Sequence, residues 1–143
     1  MNQEEDVLIH CLYFTASRFS RSITKLAEKH LDAGGLAPSY FYMIMVIHFK
    51  PGITQKELCQ KLAIAPSTST RFIDKLEKRN IVVRKMSGKQ TFISLTDEGE
   101  ELYREFRVSI KEMFQDYSET LGKDFSLDLS RMLHEASLKL EKE

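Results

Sequence analysis

The stretch TQKELCQKLAIAPSTSTRFIDKLEKRN, Thr54 to Asn80, decides how the chain folds. Thr54 and Glu57 have the T-x-x-E spacing of a capping box, and Ile53 and Leu58 flank it as a hydrophobic staple does. The spacing predicts a short helix from about Gln55 to Leu62, with Leu58, Cys59 and Leu62 turned inward. After a break at Ala63 to Ala65, Pro66 suits a first helical turn, and a further helix is expected to about Arg79. On that helix Ser69, Phe72, Ile73 and Leu76 fall at i, i+3, i+4 and i+7, the pattern of a core face. Ser67, Arg71, Asp74 and Lys78 face away, with Thr70 and Lys75 beside them. Its opening residues, Ser67 to Thr70, are poor helix formers. Helix stability therefore has to come from packing, which leaves those residues available for contact. Two short helices joined by a tight turn read as a helix-turn-helix.

Outward from this stretch, Val7, Leu8, Cys11, Leu12, Phe14, Phe19, Ile23, Leu26 and Ala27 recur at helical intervals. They predict one long helix from about Glu4 to Leu31, ended by cations and by Gly34-Gly35. Pro38 opens a second helix, SYFYMIMVIHF, apolar almost all round and so expected to be buried. Pro51-Gly52 turns the chain. Beyond Asn80, IVVRKM and QTFISL are β-prone runs on either side of Ser87-Gly88-Lys89, which predicts a small hairpin whose turn type these residues leave open. Thr96 caps a long helix with Asp97, Glu98, Glu100 and Glu101 in its first turns. Leu102, Phe106, Ile110, Met113, Phe114, Tyr117 and Leu121 form its apolar face, and Gly122 closes it. A last helix is expected from about Leu127 to Lys142, with Leu129, Met132, Leu133, Ala136 and Leu140 on one side. The fold class is mainly α with a small β-hairpin.

At 143 residues the chain fits one domain. No apolar run approaches the roughly 18 residues of a membrane span, and the acidic start MNQEEDVLIH is unlike a signal peptide, so a cytoplasmic protein without membrane contact is expected. Cys11 and Cys59 form neither a disulfide framework nor a metal quartet. His10, His30, His48 and His134 are dispersed, and no metal or cofactor site is expected. The formal net charge is zero, but the average hides a dipole. Ten basic residues stand against three acidic ones between Lys50 and Ser94, an excess of seven positive charges, and the flanks carry seven negative ones. A basic middle between acidic flanks is the footprint of a nucleic-acid-binding module on a different kind of scaffold, or else of a solvated charged surface.

The order of elements resembles the MarR family of winged helix-turn-helix transcriptional regulators over nearly the whole chain. TQKELCQKLAI, STSTRFIDKLEKRNIVVR and ISLTDEG look like that family's helix-turn-helix, recognition helix and wing-to-helix junction in order and spacing. The resemblance implies one domain over residues 1–143, with a winged helix-turn-helix over 36–96 and dimerisation helices over 4–32 and 97–142. It implies a homodimer that binds a pseudo-palindromic double-stranded DNA operator, more often as a repressor, and is released by a small phenolic or lipophilic effector. Two features depart from the family pattern. Ala65 stands where a small polar cap is usual, and the short wing RKMSGKQ lacks the acid-x-Arg element, for which Lys89 or Lys85 is the nearest substitute. Lysine is a compact point charge without arginine's fork.

The expected DNA contacts are Pro66, Ser67, Thr68, Thr70, Arg71, Lys75, Lys78, Arg84, Lys85 and Lys89. Hydroxyls and free N–H groups at a helix front can meet phosphates or base edges, and the lysines suit phosphate positioning. Arg71 can bond guanine in bidentate fashion or be held in a surface pair with Asp74. Relatives bind effectors between the dimer helices and the DNA-binding part, which here implies His10, Tyr13, Phe14, Tyr40, Tyr42 and Met43, residues that also suit a plain core. Peroxide-sensing members use a cysteine near the start of the first helix, so Cys11, with His10 and Tyr13 nearby, is a candidate redox thiol as well as a small apolar packing residue. A protein-interaction module without a DNA role is the competing reading from another class. No catalytic constellation stands out, and SITK (Ser22 to Lys25) matches S-x-x-K by letters alone.

Overall fold

A computed structural model describes residues 2–142, Ala33 by its backbone alone. Seven helices and three strands follow in the order α1 (Gln3–His10), α2 (Leu12–His30), a 3-10 turn (Ala33–Gly35), α3 (Pro38–Phe49), β1 (Ile53–Thr54), α4 (Gln55–Leu62), α5 (Pro66–Lys78), β2 (Val82–Ser87), β3 (Gln90–Leu95), α6 (Asp97–Leu121) and α7 (Lys123–Glu141). No helix among the described residues is long and apolar enough to cross a membrane.

The core forms around α3, whose Tyr40, Phe41, Met43, Ile44 and Ile47 are all buried. Leu58 of α4, Ile73 and Leu76 of α5, Val82 and Ile93 of the sheet, and Tyr103 and Phe106 of α6 pack into the same cluster. Phe41 and Phe106 meet edge to face, with ring centroids 4.8 Å apart. The helix-turn-helix is therefore packed into the core by its inner side.

Local chemistry explains most boundaries. The Thr54 hydroxyl accepts from the Glu57 N–H (3.2 Å), and the Thr96 hydroxyl accepts from the Gly99 N–H (3.0 Å). Ala63 ends α4 in the left-handed region (φ 53°). The wing is a two-residue hairpin pairing Ser87 with Gln90, and Gly88 (φ 62°) takes the first loop position, where a type II′ turn calls for glycine.

Five expectations need correction. The first helix is broken at Cys11 (φ −76°, ψ 113°) into α1 and α2. Cys11 closes α1 through its N–H to the Val7 carbonyl (2.8 Å) and opens α2 through its own carbonyl, which accepts from both the N–H (2.9 Å) and the hydroxyl (3.0 Å) of Thr15. The capping box at Thr54 is half formed, because the Glu57 carboxylate turns to Lys50 instead of back to the cap. The hairpin gains a third strand: β1 pairs antiparallel with β3, Ile53 opposite Ile93, giving the order β1-β3-β2. Helix α7 starts at Lys123, before the expected Leu127, because Gly122 (φ 93°) is the one residue that separates it from α6. Finally, Tyr103, not among the expected apolar face, is buried on α6 beside the expected Phe106 and Met113, while Leu102 and Ile110 pack partly against the core.

Candidate nucleic-acid interface

Helix α5 projects its two sides as its periodicity requires. Ile73, Leu76 and Ser69 are fully buried, and the Ser69 hydroxyl has no hydrogen-bond partner. Phe72 stacks on Tyr40, with centroids 4.3 Å apart. Pro66, Ser67, Thr70, Arg71, Lys75 and Lys78 are exposed, and Thr68 is half-buried. No side chain caps the helix at Ala65, so its first N–H groups keep their outward dipole for an external acceptor. The Thr70 hydroxyl is engaged: it accepts from Gln55 Nε2 (2.7 Å) and donates to the Pro66 carbonyl (3.0 Å), tying the front of α5 to α4.

Charge on this face is sorted by pairing. Lys50 and Lys61 lie against Glu57, the former in a direct hydrogen bond and the latter at 4.0 Å. Arg79 donates to the Gly34 carbonyl, linking the end of α5 to the turn before α3. Arg84, expected among the DNA contacts, is turned sideways. Its Nη2 and Nε donate to both carboxylate oxygens of Glu77 (3.1 and 3.3 Å), and Nη2 also bonds Asp74. The hydrogen bond from Arg84 holds the Glu77 carboxyl below its usual range. Since Asp74 is taken by Arg84, the alternative Arg71–Asp74 pair does not form, and Arg71 lies instead with its guanidinium 5.9 Å from the Phe72 ring centre. Lys75 sits 5.2 Å from the centre of the Tyr40 ring. Among the described residues, Lys56, Arg71, Lys75, Lys78, Lys85 and Lys89 have no carboxylate in salt-bridge range.

Between the start of α4, the start of α5 and the wing lies an open cleft of about 700 Å³, whose lining includes Gln55, Lys56, Gln60, Pro66, Lys89 and Gln90. Lys56 and Gln55 are absent from the residues expected from sequence. A signal for Lys56 existed: it is a cation in the first turn of a helix, where the dipole disfavours it. Such placement suits an anionic ligand outside the chain.

The residues expected around an effector are not brought together. Met43 and Tyr40 belong to the core, and Tyr40 is held by its stack on Phe72. His10 is exposed and tied to Asp6, and Tyr13 is 83% exposed. Only Tyr42 of the six lines an apolar cavity, about 210 Å³ between α2, α3, α6 and α7, together with Phe19, Ile23, Met113, Tyr117 and Leu121. Burial pushes the phenols of Tyr42 and Tyr117 up from their ordinary values. A neighbouring open groove of about 470 Å³ shares Phe19, Ile23, Leu129 and Leu133 with it. Phe14 is half-buried on α2 and lines neither. Cys11 is half-buried at the bend between α1 and α2, and neither His10 nor Tyr13 hydrogen-bonds its sulfur.

Comparison with known proteins agrees with this geometry. The family model described as MarR family matches residues 34–90, the turn before α3 through the wing. The chain is 28% identical over 115 residues to the HTH-type transcriptional regulator MhqR of Bacillus subtilis, covering 76% of this chain and 79% of that protein. Five further HTH-type regulators of Bacillus species, 30–31% identical, align over 83 residues and 56% of their own length. Among solved structures, the PcaV transcriptional regulator of Streptomyces coelicolor in complex with its natural ligand superposes with a TM-score of 0.85 at 20% identity, covering 94% of this chain and 96% of that one. The transcriptional repressor CouR, bound to a 23-mer DNA duplex, gives 0.84 at 23% identity, with 96% and 99% covered.

Proposed function

Since the chain belongs to the MarR family of winged helix-turn-helix transcriptional regulators, we propose that it acts as a homodimeric repressor binding a specific double-stranded DNA site. The observation that carries this reading is the outer side of α5 and the cleft beside it. There Lys56, Arg71, Lys75, Lys78 and Lys89 stand without carboxylate partners in a chain whose net charge is zero. The uncapped front of α5 presents N–H groups and the Ser67 and Thr68 hydroxyls to a phosphate or base edge. Arg71 is the residue suited to read a base, and the lysines, with Lys85, position the backbone. Residues 36–96 form the DNA-binding part, and α1, α2, α6 and α7 carry the pairing surface. That CouR has been captured on duplex DNA supports the same use of a like fold.

Release by a small effector is part of the proposal. The cavity under Tyr42 and Tyr117 offers an apolar lining with two phenols, suited to a small lipophilic or aromatic molecule bearing one polar group. It borders both α2 and α7, so a ligand there can alter the separation of two paired subunits and hence of their recognition helices.

Selection of bound genomic fragments by the purified protein tests the proposal. Recovered duplexes are expected to hold two half-sites about one helical turn apart. Affinity for them should fall with salt on a log–log slope of magnitude about 5 or more for the dimer. Recovery of no duplex, or a flat salt dependence, rejects it.

A further inference from the structure

Arg84 lies in the basic segment and on the wing, yet its geometry does not fit a phosphate contact. Its guanidinium fork is closed on Glu77 and shared with Asp74, and its side chain is only 24% exposed, against 44% and 57% for the two acids. Both carboxylates belong to α5, one helical turn apart, while Arg84 belongs to β2. It is thus a side-chain tie between the recognition helix and the wing. We propose that Arg84 is a positioning residue for DNA binding: it clamps the wing at a set angle to α5 and neutralises two acids on that helix, without touching DNA. This inference rests on the DNA-binding reading above.

Two physical consequences make the tie matter. The strand runs three residues beyond Arg84 to Ser87, about 10 Å, and Gly88 and Lys89 cap it. A tilt of roughly 10° at the clamp would therefore move Lys89 by about 2 Å, enough to lengthen a hydrogen bond beyond its working range. The chain also lacks an arginine at the wing tip, where Gly88 and Lys89 form the loop, so placement of a flexible lysine depends on the strand beneath it. In addition, Asp74 lies on the outward side of α5 between Arg71 and Lys78. Without Arg84 its charge and that of Glu77 would oppose an approaching phosphate.

A positioning role and a phosphate contact predict different behaviour for Arg84→Lys. Lysine keeps the positive charge and can still meet a phosphate, but a single ammonium cannot reproduce the fork on two carboxylates. The full-length wild type, Arg84→Lys and Arg84→Gln are each titrated on the duplex that the wild type recovers from genomic fragments, across a range of salt. The same substitutions are repeated in an Asp74→Asn/Glu77→Gln background, where the clamp is already open. Thermal unfolding of each variant shows that it is folded at the assay temperature.

Both single variants are expected to bind about tenfold more weakly, with the salt slope changed by less than about 0.5. In the open-clamp background the same changes should cost less than about threefold, because coupled residues are non-additive. The inference is overturned if Arg84→Lys binds within about twofold of wild type while Arg84→Gln loses about 0.9 of slope per subunit. It is equally overturned if either loss persists undiminished without Asp74 and Glu77, or if the variants lower only the melting temperature and leave the affinity intact. Should Arg84→Gln not fold, Arg84→Lys in the two backgrounds decides the matter. A wild type that recovers no duplex overturns the DNA reading and the clamp's role together, whereas all other outcomes bear on the clamp alone.

Discussion

Ser67 and Ser69 stand two residues apart on α5 and meet opposite surroundings. The first is exposed at the uncapped helix front, and the second is fully buried with an unpartnered hydroxyl. The i, i+3, i+4, i+7 pattern was enough to separate them, because side-chain direction on a helix follows from sequence spacing. Arg71 was harder to place. Its competition between a pair with Asp74 and a free outward position was decided by Arg84, which reaches Asp74 from another element. Arg71→Ala is expected to weaken binding to the selected duplex by roughly 1–3 kcal/mol and to relax specificity at one position per half-site. An equal loss on every sequence, measured on a panel of single-base variants, would assign Arg71 to phosphate instead. Gly99 shows a constraint that spacing does not carry. A Cβ there would lie 2.2 Å from the Ile81 carbonyl oxygen, where the start of α6 closes on the end of the helix-turn-helix. Backbone has to shift to admit it, so Gly99→Ala should destabilise by about 1–3 kcal/mol or more in urea unfolding.

Among the elements, those with a local start signal were legible. The boundaries of α4, α5 and α6 agree closely with expectation because a cap or a first-turn proline acts within four residues of itself. Strand β1 was not legible, since two residues make a strand only when β3 is alongside, forty residues later. The bend at Cys11 escaped for a related reason: the apolar repeat runs through it unbroken, and no side-chain cap marks the new helix start. The tie between α5 and β2 carries a pH dependence whose sign follows from Glu77. The hydrogen bond from Arg84 lowers the folded-state pKa of this carboxyl below its ordinary value of 4.5. The stabilisation is thus present above that value and lost as the pH falls through the lower, folded one. Unfolding of wild type and Glu77→Gln, compared from pH 6 to pH 3, should show the wild-type advantage shrink below about pH 4.5. An advantage that grows on acidification would contradict the pairing.

For the whole molecule, the outstanding feature is apolar surface that one chain leaves open. Val7, Ile9, Leu12, Phe125, Leu127, Met132, Leu138 and Leu140 are 49–82% exposed, and all lie on α1, α2 or α7. Apolar exposure concentrated on so few helices suits an interaction surface, and these are among the helices proposed to pair. Leu133, shared by the cavity and the neighbouring groove, sits where such pairing would bury it. Leu133→Asp should shift the sedimenting species from about twice the 16.6 kDa chain mass toward the single chain, and should weaken DNA binding in step. A variant that sediments as the wild type does would remove this face from the interface. The sequence by itself determined the helix-turn-helix, the inner and outer sides of α5 and the basic character of the middle segment, since these depend on neighbours within a turn or two. Only the tertiary structure decided which cations remain unpaired, that Arg84 is a tie, that Lys56 joins the cleft, and that Tyr42 alone of the expected effector residues reaches the cavity. Those outcomes depend on which side chains meet across elements, and in a folded chain that is set by packing and charge pairing between residues far apart in sequence.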